Sequence, residues 1–420
     1  MNALLDTSLV GGPFLIGLYL LTGLFVAGLL LRRQGVRAAA LTLALVLAGA
    51  VAGWVLVWLV SDVWDLFGVS MSTPTRLWTA SLVGALVLAV TNLFGARPRR
   101  RVLAVVAIPL CLLTAAAGIN AEFGQFNTVR AALGIPLYGA LTDALAGPVP
   151  PITDTRGTVG TVTIPATVSG FAAREAMVYL PAAARTAKPP VLPVIEMLSG
   201  QPGSPSDLFT AGRLAGILDA WAATHHGLAP IVVVPDQLGA PDRNPMCVDS
   251  KLGNSAGYLT VDVPAWIRAH YRVAAAPGGW AIAGFSQGGT CSIQLGADHP
   301  ELYGTVLDIS GELAPKAGNP QQTVQAGFAG SAAAYAAAAP SAILAAHAPY
   351  RALHIIFAVG GDDTRYIAWT NTLRAAAERA GATTDLLVSP GTAHDWHTVV
   401  YALTRALPLL AAHTGLTVNP

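Results

Sequence analysis

The stretch Trp280-Ala281-Ile282-Ala283-Gly284-Phe285-Ser286-Gln287-Gly288-Gly289 decides the fold. An apolar run that reads as a buried strand gives way to a serine between two glycines, the strand-turn-helix context of a nucleophile elbow. Such a turn holds its serine at strained backbone angles, so the residues two before and two after must be small where neighbouring backbone crowds them. Ser286 is therefore the candidate nucleophile. The chain has 43 glycines, so the motif counts only if its chemical partners follow downstream.

They follow in the order serine, acid, histidine that an α/β-hydrolase requires. Leu353-His354-Ile355-Ile356-Phe357-Ala358-Val359 reads as a buried parallel strand ending in Gly360-Gly361-Asp362-Asp363. An acid just past a strand end suits the third member of a triad. Asp363 fits the Gly-x-x-Asp spacing and is favoured, with Asp362 as the alternative acid. The next strand, Thr384 to Val388, leads into Gly391-Thr392-Ala393-His394-Asp395-Trp396-His397. His394 is the expected general base; His397 lies farther from the strand and is expected to begin the last helix. An oxyanion hole needs two backbone N–H groups, expected from Gln287 and from Gln201 in the loop after the strand Val191 to Leu198.

From about residue 150 onward, the chain resembles the bacterial esterase branch of the α/β-hydrolases that includes esterase D and the secreted mycolyltransferases of mycobacteria. The matching pieces are Met197-Leu198-Ser199-Gly200-Gln201-Pro202-Gly203, Gly284 to Gly289 continuing into Asp298-His299-Pro300-Glu301-Leu302-Tyr303, and Gly391 to Trp396. Ser199 departs from the pattern, since many relatives carry His or Asp before the glycine. The whole chain is similar to actinobacterial membrane-anchored members, some of which hydrolyse aminoacyl esters of membrane lipids. That resemblance implies a serine esterase without a cofactor.

Composition divides the chain. Charged residues are only 11% and mean hydropathy is +0.55, too apolar for an ordinary soluble enzyme. The excess sits in four segments, about Gly11 to Leu31, Ala38 to Val60, Leu77 to Phe94 and Val102 to Ile119. Each can cross a hydrocarbon core, which takes about 20 residues. Arg32, Arg33 and Arg37 lie between the first two segments and Arg97, Arg99, Arg100 and Arg101 between the last two, whereas Asp62, Asp65 and Arg76 lie between the second and third. Short positively charged loops stay in the cytoplasm, so both chain ends are expected outside. The expected domains are a four-helix transmembrane anchor over 1–120, a connector over 121–151 ending in Pro148-Val149-Pro150-Pro151, and a catalytic α/β-hydrolase domain over 152–420.

Within that last domain, Thr158 to Ile164 and Glu175 to Leu180 read as a β-hairpin. Runs at 231–234, 281–283, 304–309, 353–359 and 385–388 supply parallel strands, with helices at Phe209 to Ala223, Tyr258 to His270 and Ala368 to Ala380. Such alternation means a doubly wound, mostly parallel sheet with its site at strand C-terminal ends. The Ala-rich stretch Ala326 to Ala348 reads as a surface helix, a lid or a spacer. Cys247 and Cys291 are a candidate disulfide in an oxidising compartment or else two buried thiols, and Cys111 reads as a packing residue of the fourth segment. No local His or Cys spacing suggests zinc, so no metal is expected. A net charge of +1 gives no sign of a nucleic-acid partner. The leading reading is an esterase acting on an acyl or aminoacyl ester, lipid or cell-envelope derived, at the outer face of the plasma membrane. An acyltransferase with the same triad and a non-catalytic membrane scaffold are the alternatives.

Overall fold

The computed structural model describes residues 2–31, 35–66, 68–94, 97–142 and 155–416. Arg32, Arg33 and the Pro148-Val149-Pro150-Pro151 hinge lie outside the described residues. The chain forms two compact units, Met1–Pro136 and Leu137–Pro420.

The first unit contains four long apolar helices, Pro13–Leu30, Val36–Trp58 with a π-helical extension Leu59–Val63, Thr73–Leu93 and Pro98–Phe123. All four are long and apolar enough to cross a membrane. Small residues set their packing: a Cβ on Gly53 would meet the Thr79 carbonyl at 2.9 Å, and one on Gly84 the Val46 carbonyl at 3.2 Å. Close backbone approach of this kind is how helices associate where lipid supplies no hydrophobic drive. The outward faces carry exposed side chains such as Leu24, Leu41 and Val51. Arg76, in the first turn of the third helix, is paired with Asp62 at the end of the second at 2.7 Å. The unit extends past the last helix, where left-handed Gly124 ends it and Asn120 exchanges two hydrogen bonds with Phe126.

The second unit is built on an eight-stranded sheet in the order β1-β2-β4-β3-β7-β8-β9-β10. The strands are β1 Thr158–Val162, β2 Ala176–Leu180, β3 Val194–Leu198, β4 Ile231–Val234, β7 Trp280–Phe285, β8 Thr305–Ile309, β9 His354–Gly360 and β10 Thr383–Ser389; β5 Asp249–Ser250 and β6 Gly253–Asn254 form a separate small ladder. β1 and β2 pair antiparallel, as does β2 with β4, and every later pair in the large sheet is parallel. Central strands β7, β8 and β9 are buried along their whole length. Alternate residues of β7 enter opposite layers: Trp280 and Ile282 join Tyr258, Ile293 and Leu373 on one face, and Ala281, Ala283 and Phe285 join Leu218, Leu403 and Leu410 on the other. This is the doubly wound pattern.

Two helical expectations needed revision. The segment over Phe209 to Ala223 is two helices, Asp207–Thr210 and Leu214–Thr224, because Arg213 takes a left-handed φ of 52° between them. The Ala-rich stretch is not one helix: Pro320–Gly327, Ala332–Ala337 and Pro340–Ala346 are separated by left-handed Ala329 and Gly330 and by Pro340. Proline and left-handed residues stop a helix however favourable the alanines are.

Ionisable residues also lie in the core, Glu196 and Asp308 among them. Glu196 lies in the middle of β3 with no exposure, accepting a 2.8 Å hydrogen bond from the Tyr303 hydroxyl. Burial pushes its carboxyl up to about 8, the Tyr303 hydrogen bond opposing the rise. Between its ordinary value and 8, the unfolded chain releases a proton that the folded chain keeps, so stability falls as pH rises through that window. Glu196→Gln should therefore match the parent's stability near pH 5 and exceed it near pH 8 by on the order of 2–3 kcal/mol, read as a higher unfolding temperature at the higher pH. Parallel melting curves across that range would contradict this.

Candidate active site

Ser286 occupies the turn between β7 and the helix Gln287–Asp298, with φ 57° and ψ −115°. The flanking glycines are sterically required. A Cβ on Gly284 would overlap the Gly288 carbonyl, and one on Gly288 would overlap the carbonyls of Leu198 and Ser199. The Ser286 N–H donates to the Ile309 carbonyl at 2.8 Å, which fixes the elbow to the end of β8.

The structure brings Ser286, His394 and Asp363 together. His394 Nε2 lies 2.8 Å from Ser286 Oγ. On the other side of the ring, Nδ1 lies 3.4 Å from Asp363 Oδ2. That separation is longer than a formed hydrogen bond, and such contacts tighten when substrate is bound. Asp363 also caps the helix Thr364–Arg379, its Oδ1 accepting the Tyr366 N–H at 3.2 Å. Asp362 is exposed, and its backbone N–H donates to the Thr392 carbonyl. His397 is exposed within the last helix, Trp396–His413. Buried Tyr366 and Phe285 wall the His394 ring, with centroids 4.1 and 4.9 Å away. The loop carrying His394 is pinned by Asp395, which accepts the N–H groups of Ala393 and Thr398 at 2.7 and 2.9 Å.

Gln287 opens the helix after Ser286, where backbone N–H groups have no intrahelical acceptor. Its side chain is held on both sides. Gln237 Nε2 donates to Gln287 Oε1 at 3.0 Å and to the Ser199 carbonyl at 2.6 Å, while Gln287 Nε2 donates to Asn244 Oδ1 at 3.0 Å and sits 3.1 Å from Cys291 Sγ. Gln201 follows β3, whose Leu198 pairs with Gly284, so its loop emerges at the same sheet end as Ser286. The Gln201 side chain donates to the Asp242 carbonyl at 3.2 Å. Gln237 and Asn244 escaped the sequence reading because they come from the loop after β4 and belong to no motif. Asp308 escaped it too. It is buried on β8 against Gly289 and Gly311, and burial raises its carboxyl to about 7 with the Gly311 amide opposing.

Cys247 and Cys291 are joined in a disulfide, and Cys111 is a buried free thiol. The bridge ties the loop after β4 to the helix that carries the elbow. Closing a loop of 44 residues contributes about 4 kcal/mol from chain entropy, an upper figure because native strain subtracts from it. Reduction or Cys247→Ser should lower the unfolding temperature by several degrees, and Cys111→Ser should not do so through any crosslink. Non-reducing peptide mapping gives the direct check: alkylatable thiols at both 247 and 291 in native membranes would exclude the bridge.

Residues 172–406 match the family model described as "Putative esterase". An uncharacterized protein of Corynebacterium glutamicum is 32% identical over 360 residues, covering 81% of this chain and 83% of the relative. Among solved structures, a ferulic acid esterase superposes with a TM-score of 0.52 at 19% identity, covering 62% of this chain and 99% of that one. An S-formylglutathione hydrolase from Agrobacterium tumefaciens gives 0.49 at 18% identity, covering 62% and 96%. With the elbow, the sheet order and this match over more than half its length, the chain belongs to the esterase family of α/β-hydrolases and is a carboxylic-ester hydrolase.

Proposed function

We propose that this esterase works through an acyl-enzyme on Ser286, with His394 as general base and acid and Asp363 as the carboxylate that orients it. The observation that carries the reading is the 2.8 Å contact between Ser286 Oγ and His394 Nε2 on a strained elbow. His394 removes the hydroxyl proton as Oγ attacks the ester carbonyl, then returns it to the departing alcohol; water repeats the cycle in reverse to free the acid. The N–H groups of Gln287 and Gln201 receive the negative charge on the carbonyl oxygen. The side-chain clamp on Gln287 keeps its N–H aimed without reorganisation during the reaction.

The substrate in this reading is an acyl or aminoacyl ester, lipid-linked, at the extracytoplasmic face of the plasma membrane. Support comes from the four apolar helices ahead of the esterase and from the arginines, since the segment 64–72 between the second and third helices carries no lysine or arginine while Arg97, Arg99, Arg100 and Arg101 form a basic cluster. Residues 1–120 are the proposed anchor and 152–420 the proposed catalytic domain. Assay of the full chain against aminoacyl lipids in mixed micelles and against the same headgroup esters free in solution tests the lipid link; equal kcat/KM on both would remove it. A longer-chain alcohol intercepting the acyl group faster than water would convert the reading to an acyltransferase. Topology has its own check. Reporter fusions should place Arg37 and Arg97 to Arg101 inside and the 148–151 segment outside, and a hinge that external protease cannot reach in spheroplasts would reverse the orientation.

A further inference from the structure

Away from the esterase site, three side chains from three elements converge at the opposite end of the sheet. They are His354 at the start of β9, Asp385 on β10 and His413 at the end of the last helix. His354 Nε2 lies 3.0 Å from Asp385 Oδ2, and the two imidazoles stack with centroids 3.6 Å apart and planes 16° apart. One potential ligand atom from each residue lies within 4.8 Å of the others. We propose that His354, Asp385 and His413 form a site for a borderline divalent transition metal, with zinc as the best fit.

The donor set is the first reason. Two imidazoles and one carboxylate suit zinc and its neighbours and do not suit magnesium or calcium, which prefer all-oxygen shells. Proton placement is the second. A ligating His354 Nε2 must give up its hydrogen, and a neutral ring does so by moving the proton to Nδ1, where something must accept it. Thr383 Oγ1 lies 2.8 Å from Nδ1 and can accept as readily as it can donate. That hydroxyl supplies the outer partner a ligating histidine requires. Space is the third. At about 2.0–2.1 Å from each donor, a tetrahedral ion needs the two atoms about 3.3 Å apart, so the 3.0 Å contact has only to open slightly. Histidine 354 is nearly buried and fixed, whereas Asp385 is half-exposed and His413 exposed, so the last two can turn toward the ion while solvent completes its shell.

Such an ion would staple the C-terminal end of the last helix to β9 and β10. The N-terminal end of that helix begins two residues after His394. The site is therefore a stabilising or metal-responsive clasp and does no ester chemistry.

The test is a zinc titration of the full chain in detergent, followed by calorimetry and by unfolding temperature. The parent should take up one zinc equivalent and gain a few degrees in unfolding temperature. His413→Ala and Asp385→Asn should each weaken that uptake by about tenfold or more and abolish the thermal gain, with basal esterase activity unchanged. His413 is exposed at a helix end, so its variant should fold as the parent does. Absence of uptake by the parent, or uptake that both variants retain, would overturn the proposal.

Discussion

Ser286→Ala and His394→Ala should each lower kcat for ester hydrolysis by on the order of 10⁴-fold or more while leaving the unfolding temperature near that of the parent. The size follows from the roles. Without Oγ no acyl-enzyme forms, and without the imidazole the hydroxyl keeps its proton at neutral pH. The two effects should not add, because the 2.8 Å pair acts as one unit. Residual turnover would come from the Gln287 and Gln201 amides acting on bound substrate. Ser286→Ala also relaxes no packing: Oγ faces His394, and the left-handed turn persists because its glycine neighbours and the Ile309 carbonyl hold it. Esterase rates together with thermal melts check this, and parental activity in Ser286→Ala would end the proposed mechanism.

Asp363→Asn should cost on the order of 10³- to 10⁴-fold in kcat, against a few-fold at most for Asp362→Asn. The amide changes what His394 Nδ1 meets, favouring the tautomer that places a proton on Nε2, where a lone pair is needed to receive the Ser286 proton. Asn can still cap the helix Thr364–Arg379 through its oxygen, so the loss should appear in rate and not in stability. Asp362 points into solvent and has no comparable geometry. Kinetics of the two purified variants separate them, and a larger loss in the Asp362 protein would reassign the acid.

The strand-turn-helix sequence around Ser286 was readable because the elbow imposes a local demand, small residues at 284 and 288, that no other sequence meets without steric overlap. His394 was readable by chain order and its place after a strand. Spacing favoured Asp363 over Asp362 without excluding the latter, because two adjacent carboxylates after one strand share the same local signal; in the structure Asp363 caps the following helix and lies 3.4 Å from His394, whereas Asp362 is exposed. The clamp on Gln287 was invisible for a different reason: Gln237 and Asn244 approach from another loop, and side-chain amides carry no periodic signature. Helix breaks at Arg213 and Ala329 were hidden by favourable composition, since left-handed φ values at non-glycine positions are set by tertiary contacts. The His354, Asp385 and His413 group was illegible because the β9–β10 register and the packing of the last helix, not sequence spacing, bring its members together.

Covalent labelling shows directly whether Ser286 is the residue that takes the acyl group. A fluorophosphonate reacts preferentially with a serine whose hydroxyl is activated by a neighbouring base. Mass spectrometry of the labelled full chain should find one phosphonyl adduct, on the peptide carrying Ser286, with esterase activity lost in proportion and no adduct in His394→Ala. Full ester turnover with Ser286 unmodified by the reagent, or inactivation through an adduct on another residue, would contradict that role for Ser286.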